Sequence, residues 1–421
     1  MLLLEAAGPE SGALVETTVA RGYEVHAVTG SDQLASYSTT LRTALSGCLP
    51  TDLSRPEHAI EDILRYARRV GADAVLTTNE YLTPLAAQVC AALELPGNDP
   101  ALARAARSKA AMAEQFARCG VTTPHTRVLS HELELCRLVA SGHLTFPCVL
   151  KPAEGAGSVG VRIVTSAEEA AAAFRAAQKG RGMYGMVLDP RVVIQELIEG
   201  VEYSVESITQ SGRTTHLCVT RKMATRGARR VELGHGLPAV LPAELERAVY
   251  KQVDLAIAAV GIRNGASHTE VMLTPDTQCA VIEIGARIGA GYIGFLIRHA
   301  LGIDPWAACL DTALGRPAHL SPTRADYATV RFLTAPHPGR LVAVAGLPDH
   351  GPQVPLVRLR RALGETVTGT VDNTGRLGSF VVVGPDRQRV DLDADHLLAQ
   401  VQIHIEPFDP SSPAVDHCGS P

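Results

Sequence analysis

The sequence predicts an α/β arrangement over about the first hundred residues and an α+β arrangement after it. Three observations carry this expectation. Short apolar runs alternate with helical periodicity up to about residue 93, strands joined by tight turns take over from 146, and turn-rich stretches at 95–100 and 315–326 separate the segments. With 421 residues, 46% of them hydrophobic and 20% charged, the chain is long enough for two or three domains with substantial cores. A disordered or fibrous chain is excluded.

The elements run in order. Residues 1–4 (MLLL) form an apolar run suited to a buried strand, a helical pattern covers about 11–21, and 23–28 return to strand. A helix over about 56–70, an apolar run at 74–76 and a helix reaching about 93 complete βαβ units on a parallel sheet. The turn-rich LPGNDP at 95–100 marks a boundary. Residues 101–119 read as one helix stopped at Gly120, where glycine can take the left-handed cap, with Pro124 beyond. The strand FPCVLK then runs through EGAGSVG into a second strand, VRIV, and a helix whose Ser166 and Glu169 fit a capping box. Strands come next at about 192–196, 203–210 and 214–221, then a helix over 242–260, then strands at 267–273 and 279–284. The polar, proline-bearing stretch 315–326 reads as a second linker. Beyond it come mostly short strands, including 327–333 and 379–383, with no internal repeat.

Composition narrows the function classes. Lys plus Arg total 39 against 44 for Asp plus Glu, a net charge of −5, and no basic block could track a phosphate backbone, so nucleic acid is not an expected partner. The nine cysteines are scattered without a CxxC pair, which suits reduced thiols better than a disulfide framework or a zinc site. The start, MLLLEAAGPESG, lacks the basic stretch of a signal peptide, and no apolar run approaches membrane-spanning length. The expectation is a soluble cytoplasmic protein with no membrane partner.

Several constellations could carry chemistry. Gly155, Gly157 and Gly160 spell GxGxxG, but a dinucleotide fingerprint must open a helix and here a β-branched strand comes after it. A glycine-rich turn between two strands can instead fold over phosphates and offer them its N–H groups, with Lys151 adding a cation at the end of the first strand. A plain glycine-rich hairpin and a solvated lysine satisfy the same pattern, although the apolar run before Lys151 favours an inward side chain. Glu270 and Glu283 lie on two strands whose hairpin midpoint falls between Asp276 and Thr277, so they should face each other. Opposed carboxylates, roughly 5 Å apart at Cβ, repel unless a cation lies between them. Hard carboxylate oxygens in that number suit magnesium at a nucleotide site; a solvated acidic hairpin is the alternative. Period-two alternation adds His268 and Arg287 to that face, provided the strand reaches 287. Arg287, in EIGARIGAGY, sits among small residues, and its fork suits a phosphoryl group or a carboxylate, or else an ion pair with one of the acids. Glu232 and His235, three apart in the turn-rich VELGHGLPA, could share a site or decorate a loop.

Taken together, RSKAAMAEQFARCGVTTP, FPCVLKPAEGAGSVGVRIV, IQELIEGVEYSVES, VELGHGLPA and HTEVMLTPDTQCAVIEIGARIGAG, in this order and at these spacings, resemble the ATP-grasp superfamily. Within it they are similar to the L-amino acid ligases, and FLTAPHPGRL and DNTGRLGSFVVVG are similar to the C-terminal region of that carboxylate-amine ligase branch. The resemblance implies an N-terminal Rossmann-like domain over 1–100, an ATP-grasp domain over 101–320 with a lid at about 125–200, and a mostly β C-terminal domain over 321–421. It implies ATP and Mg2+, or Mn2+, as cofactors, and a small amino acid or carboxylate as substrate, activated as an acyl phosphate and joined to an amine with release of ADP. Lys109 and Lys151 would hold phosphates together with Gly157 and Ser158 of the flap, which should be mobile before ATP binds. Glu196 and Ile198 would read adenine at the hinge, and Glu202 would accept the ribose hydroxyls. Glu270 and Glu283 would hold the metal. Arg287 would steady the acyl phosphate and tetrahedral intermediate, while Glu232, His235, His268 and Gly289 would line the amino acid pocket, with His235 or Glu232 orienting or deprotonating the amine.

Gly285 stands where many members of the superfamily carry an asparagine metal ligand, a departure that the ligase branch shares. A homodimer and a place in small-peptide or antibiotic biosynthesis complete the expectation. A carboxylase or purine-pathway ligase, and an ATP-binding regulatory protein without turnover, are the alternatives. The presence of Glu270, Glu283 and Arg287 argues against the last.

Overall fold

The structure is a computed structural model and describes residues 1–180 and 182–408. Its first segment comprises β1 (Leu2–Leu4), α1 (Pro9–Ala20), β2 (His26–Thr29), α2 (Ser31–Ser36), α3 (Thr39–Ala44), β3 (Gly47–Pro50), α4 (Pro56–Val70), β4 (Val75–Leu76) and α5 (Thr83–Ala92). The four strands pair in parallel in the order β3-β2-β1-β4. An all-apolar strand fits a sheet covered on both faces: Leu2 and Leu4 pack against α4 and α5, while Leu3 enters the opposite core with Leu14 and the fully buried Trp306. α4 begins at Pro56 and ends at Gly71, whose left-handed φ of 62° satisfies the cap. The short α2 and α3 bury no residue, so no apolar stripe announced them in the sequence.

The helix expected over 101–119 is two pieces. A 3-10 turn at Ala103–Ala106 breaks at Arg107, and α6 (Lys109–Cys119) restarts where the Ser108 hydroxyl accepts the Ala111 N–H. This break places Lys109 on the first turn of a helix, buried, rather than on a surface face.

A second, antiparallel sheet holds β5 (Thr126–Leu129), β6 (Cys148–Pro152), β7 (Arg162–Val164) and β8 (Val192–Glu196) in the order β5-β8-β6-β7. The helices α7 (Glu132–Ala140) and α8 (Ala167–Ala177) cover it through Leu135 and Phe174. Ser166 caps α8 as expected, but Glu169 accepts the Thr165 N–H at 2.7 Å instead of returning to Ser166.

The remaining elements are β9 (Val201–Gln210), β10 (Arg213–Ala224), β11 (Glu232–Leu237), α9 (Ala243–Ala259), β12 (Gly265–Leu273), β13 (Cys279–Gly285), α10 (Ile293–Leu301) and α11 (Pro305–Ala313). After them come β14 (Tyr327–Thr334), β15 (Pro338–Ala345), β16 (Leu356–Leu359), β17 (Thr366–Thr368), β18 (Arg376–Gly384), α12 (Arg387–Gln400) and β19 (Gln402–Glu406). Eight strands form one antiparallel sheet in the order β13-β12-β9-β10-β11-β14-β18-β16, and β17-β15-β19 form a small one. Period two sorts β9: Val205 packs with α6 and α9, while Glu202, Ser204 and Glu206 share the opposite face. That polar face is the floor of the site.

Two irregularities aim side chains there. Glu270 pairs directly with Glu283 as expected, but through a bulge rather than through hairpin symmetry. The register leaving the turn, Leu273 with Cys279 to Val271 with Val281, would set Glu270 opposite Ile282, and a one-residue slip between Val271 and Glu270 brings Glu283 there instead. The stretch VELGHGLPA, expected to be turn-rich, is instead strand β11, between β10 and β14. Its glycines serve close packing rather than turning: a Cβ on Gly234 would overlap the Val330 carbonyl oxygen. Residues three apart on a regular strand point to opposite faces, but Ala224 pairs with Glu232 and Met223 with Gly234, so a bulge at Leu233 returns Glu232 to the side of His235.

Gly234→Ala should therefore destabilise the protein by about 1–3 kcal/mol through overpacking, seen as a lower midpoint of thermal unfolding. An unchanged midpoint would show that β11 and β14 can separate without cost.

Candidate active site

Between the second sheet and the polar floor lies a cleft whose empty volume, open mouth included, is about 1350 Å3. Lys109, Lys151, Gly157, Ser158, Glu196, Ile198, Glu202, Glu232, His235, His268, Glu270, Glu283 and Arg287 all line it. Gly289 does not. A Cβ there would stand 2.7 Å from His268 Nδ1 and 3.0 Å from Glu206 Oε2, so it acts as clearance for that pair.

The floor is organised by Lys222, which sequence reasoning passed over. Its buried Nζ lies 3.2 Å from Glu202 and 2.7 Å from Glu232 and is bonded to Glu270. Burial disfavours its charge, but the three carboxylates outweigh burial and hold its pKa well above the ordinary value. Burial likewise opposes ionisation of Glu232, and Lys222 reverses this, keeping the acid charged. Glu202, Glu232 and Glu270 bring carboxylate oxygens within 4.8 Å of one another.

His268 is a cation by the same logic. Burial lowers its pKa, but Glu206, 3.0 Å from Nδ1, overcomes this and raises it to about 9, with Glu270 3.4 Å from Nε2. Glu206 is in turn held by the Ser204 and Thr220 hydroxyls at 2.7 and 3.3 Å. His235 is the opposite case: burial pushes it down to about 4, so the imidazole is neutral, and neither ring nitrogen has a hydrogen-bond partner. Glu232 lies 3.7 Å from its Nε2.

At the flap, β6 ends in Lys151 and Pro152, and Gly157, Ser158 and Gly160 turn the chain at φ of 66°, 62° and 76°. Burial lowers the Lys151 pKa to about 8, against the pull of Glu283. Lys109 Nζ donates to the Gly155 carbonyl at 3.0 Å and pairs with Glu283 at 2.9 Å. At the hinge, Glu196 Oε1 accepts the His125 N–H at 3.0 Å.

Arg287 departs from expectation. β13 stops at Gly285, so Arg287 lies beyond the strand and does not alternate with His268 on the hairpin face. Its ion pair is with neither hairpin acid: Nη2 and Nε donate to Glu80 Oε2 at 2.5 and 3.1 Å. Glu80 is buried, with Arg107 3.9 Å away; burial opposes its charge, and Arg287 and Lys109 restore it, leaving its pKa below the ordinary value. Arg376 is a further unforeseen member, donating to Glu232 Oε2 at 2.8 Å. Glu206 had a signal, since it shares its face of β9 with Glu202. Glu80 and Arg376 had none, because only tertiary contacts bring them here.

The donor chemistry fits a hard cation. Glu270 and Glu283 are opposed carboxylates, although protein cations engage both, and Gly285 contributes no side-chain ligand. Two lysines, a glycine-rich flap and facing acids between two sheets define the architecture of the ATP-grasp fold.

Comparison with known proteins extends this. The ATP-grasp domain family matches residues 144–294, the ATP-grasp N-terminal domain 16–97, and the L-amino acid ligase C-terminal domain 2 residues 331–406. Dapdiamide A synthase of Enterobacter agglomerans is 30% identical over 292 residues, 67% of this chain and 68% of that protein. Alanine–anticapsin ligase of Bacillus subtilis is 27% identical over 288 residues, 64% of this chain and 60% of that protein. The crystal structure of L-amino acid ligase from Bacillus licheniformis superposes with a TM-score of 0.81 at 22% identity, covering 96% of this chain and 98% of that one. The chain belongs to the ATP-grasp family, in its L-amino acid ligase branch. Among the described residues no helix is long and apolar enough to cross a membrane.

Lys222→Met should remove the cation shared by three half-buried carboxylates, leaving Glu202 unpaired among the described residues while Arg376 still meets Glu232 and His268 still meets Glu270, and destabilise the protein by roughly 3 kcal/mol. The deficit should shrink as pH falls and those acids protonate; equal unfolding midpoints for variant and wild type at pH 8 would remove Lys222 from its central place.

Proposed function

We propose that this protein is an ATP-dependent carboxylate-amine ligase that joins two amino acids, or an amino acid and a small carboxylate, through an acyl phosphate. The observation that carries the reading is that one cleft holds both a phosphate-binding set, Lys109, Lys151 and the flap, and a polar pocket containing Arg287, Glu232 and a neutral His235. A substrate carboxylate oxygen attacks the γ-phosphorus of ATP and ADP leaves. The amine nitrogen of the second substrate then attacks the acyl carbonyl, the carbon–oxygen bond to phosphate breaks, and the nitrogen gives up a proton.

Lys109 and Lys151 would draw the phosphates into line, and the flap would exclude water that hydrolyses the acyl phosphate. Magnesium, held by Glu270 and Glu283, would neutralise phosphate charge. Arg287, fixed by Glu80, is preorganised to meet negative charge developing at the reacting carbonyl. His235, uncharged and without a partner, can accept the amine proton, and Glu232 can orient the ammonium. We extend the proposal to adenine at the Glu196–Ile198 hinge, ribose at Glu202, a homodimer, the cytoplasm and small-peptide or antibiotic biosynthesis. The sequence resemblance supports the nucleotide contacts and the homodimer, the scattered cysteines without a CxxC pair support the cytoplasm, and the names of the relatives support the biosynthetic setting.

The direct test is ADP and phosphate release from magnesium-ATP across an array of single and paired amino acids. ADP formed only with particular amino acids, together with a product of their summed mass less water, is the expected result. ADP formation with bicarbonate alone would move the protein to another branch. Glu283→Ala should abolish turnover, whereas Arg287→Ala should bind ATP normally yet yield no product; near wild-type ligation in either would sink the assignment. ATP affinity should also depend on Lys151. A bound phosphate favours the charged amine, so affinity is full below pH 8 and falls as pH rises past it, and binding at pH 8.5 takes up a proton. Calorimetry in buffers of different ionisation enthalpy reads that proton directly.

A further inference from the structure

The flap is tied to the far end of the chain. The turn between β17 and β18 brings Asn373 to the cleft wall, where its backbone N–H donates to the Gly157 carbonyl oxygen at 3.1 Å. The same residue's Oδ1 accepts the Glu232 N–H at 3.0 Å. Three residues on, Arg376 grips Glu232 twice, through Oε2 at 2.8 Å and the carbonyl at 3.1 Å. The Arg376 guanidinium lies 3.7 Å from the Phe332 ring centroid, and Phe332 meets the His235 ring edge-on at 5.3 Å. One short turn therefore contacts the tip of the flap, the Glu232 backbone and the Glu232 carboxylate.

The turn is stiff enough to transmit position. Asp372 Oδ1 accepts the Thr374 N–H at 2.9 Å, and Thr370 Oγ1 accepts the Ala335 N–H at 2.6 Å while donating to the Gly375 carbonyl at 3.0 Å. A Cβ on Gly375 would stand 2.9 Å from the Gly369 carbonyl oxygen, so the chain folds back on itself without room to spare. The flap's left-handed residues, by contrast, leave it few internal restraints: Val159 to Ala156 and Val161 to Ser158 are its own backbone bonds.

We propose that Asn373 is a positioning residue that latches the glycine-rich flap shut and couples its closure to the Glu232 pocket. This rests on the ligase reading above. An amine substrate that engages Glu232 loads the same hydrogen-bond chain that holds Gly157, so the acyl phosphate is shielded while the amine is in place. When the latch is lost, water oxygen attacks the acyl carbonyl, phosphate leaves and the carboxylate is regenerated; the net reaction is ATP plus water to ADP plus phosphate, with no amide.

Three full-length variants test this. Asn373→Pro removes both the N–H donor and Oδ1 and suits the site, because Asn373 opens a 3-10 turn and Asp372 before it is extended at φ −156° and ψ −177°. Asn373→Ala removes Oδ1 alone, and Asn373→Asp keeps both bonds. The readouts are the ratio of ADP to amide product and hydrogen exchange of residues 155–161. The proline variant should raise the ratio severalfold and speed flap exchange about tenfold, with β9 and β12 still protected; alanine should be intermediate and aspartate close to wild type. Wild-type ratio and flap protection in both the proline and alanine variants would overturn the latch, as would an aspartate variant as leaky as proline. If proline loses protection throughout the chain, the alanine and aspartate pair decides. A wild-type protein that forms no amide would defeat the ligase reading, while the exchange comparison would still decide the latch.

Discussion

A single buried ammonium organises the catalytic face. Lys222 on β10 touches carboxylates from β9, β11 and β12, so four adjacent strands of the main sheet meet at one charge. A buried ion is tolerated only when paired, and here the pairing is mutual: the acids keep the lysine charged, and the lysine keeps Glu232 and Glu270 ionised against burial, whereas at Glu202 burial outweighs it and the pKa is raised. The polar floor can thus be charged and fixed before any ligand arrives.

The same device recurs at the edges of the cleft. Arg287 is held by Glu80 from the first segment of the chain, and Lys109 is held by Glu283 across from the flap. These two proposed ligand-binding cations are thereby preorganised by acids, which removes the entropy of positioning a long side chain when substrate arrives. His235 stands apart: it is uncharged, and its ring nitrogens have no partner, in a wall otherwise full of ions. This contrast sets the ion-paired groups of the floor apart from the uncharged imidazole proposed to take up the amine proton.

Much of this was legible in the sequence, and the reasons are local. α4 ran from a proline at its first turn to a glycine cap, and its observed limits, Pro56–Val70, coincide with the periodic pattern. Glu270 and Glu283 were legible as a facing pair on adjacent strands, but not the bulge that makes them face: the slip between Glu270 and Val271 lies on the turn side of the pair and shifts the partner from Ile282 to Glu283. β11 was not legible: glycine marks both turns and places where two backbones approach closely, and only Val330 on the facing strand reveals which applies. Lys222 was not legible: the strand expected over 214–221 stops one residue short of it, and the acids it meets come from three other strands. The Arg287–Glu80 pair is invisible to any local pattern, and so is the break at Arg107 that turns Lys109 inward.

The pairing of β14 with β11 matters to anyone exchanging parts between related proteins. A linker at 315–326 invites a cut there, as though the C-terminal hundred residues were a separable module. Yet β14, β18 and β16 extend the sheet that carries the cleft, and β11 has β14 as its neighbour on one side. A chimaera joined at the linker would graft a foreign strand directly behind Glu232 and His235. Crossover points that spare this sheet lie elsewhere in the chain, and the linker is a change of direction rather than a seam.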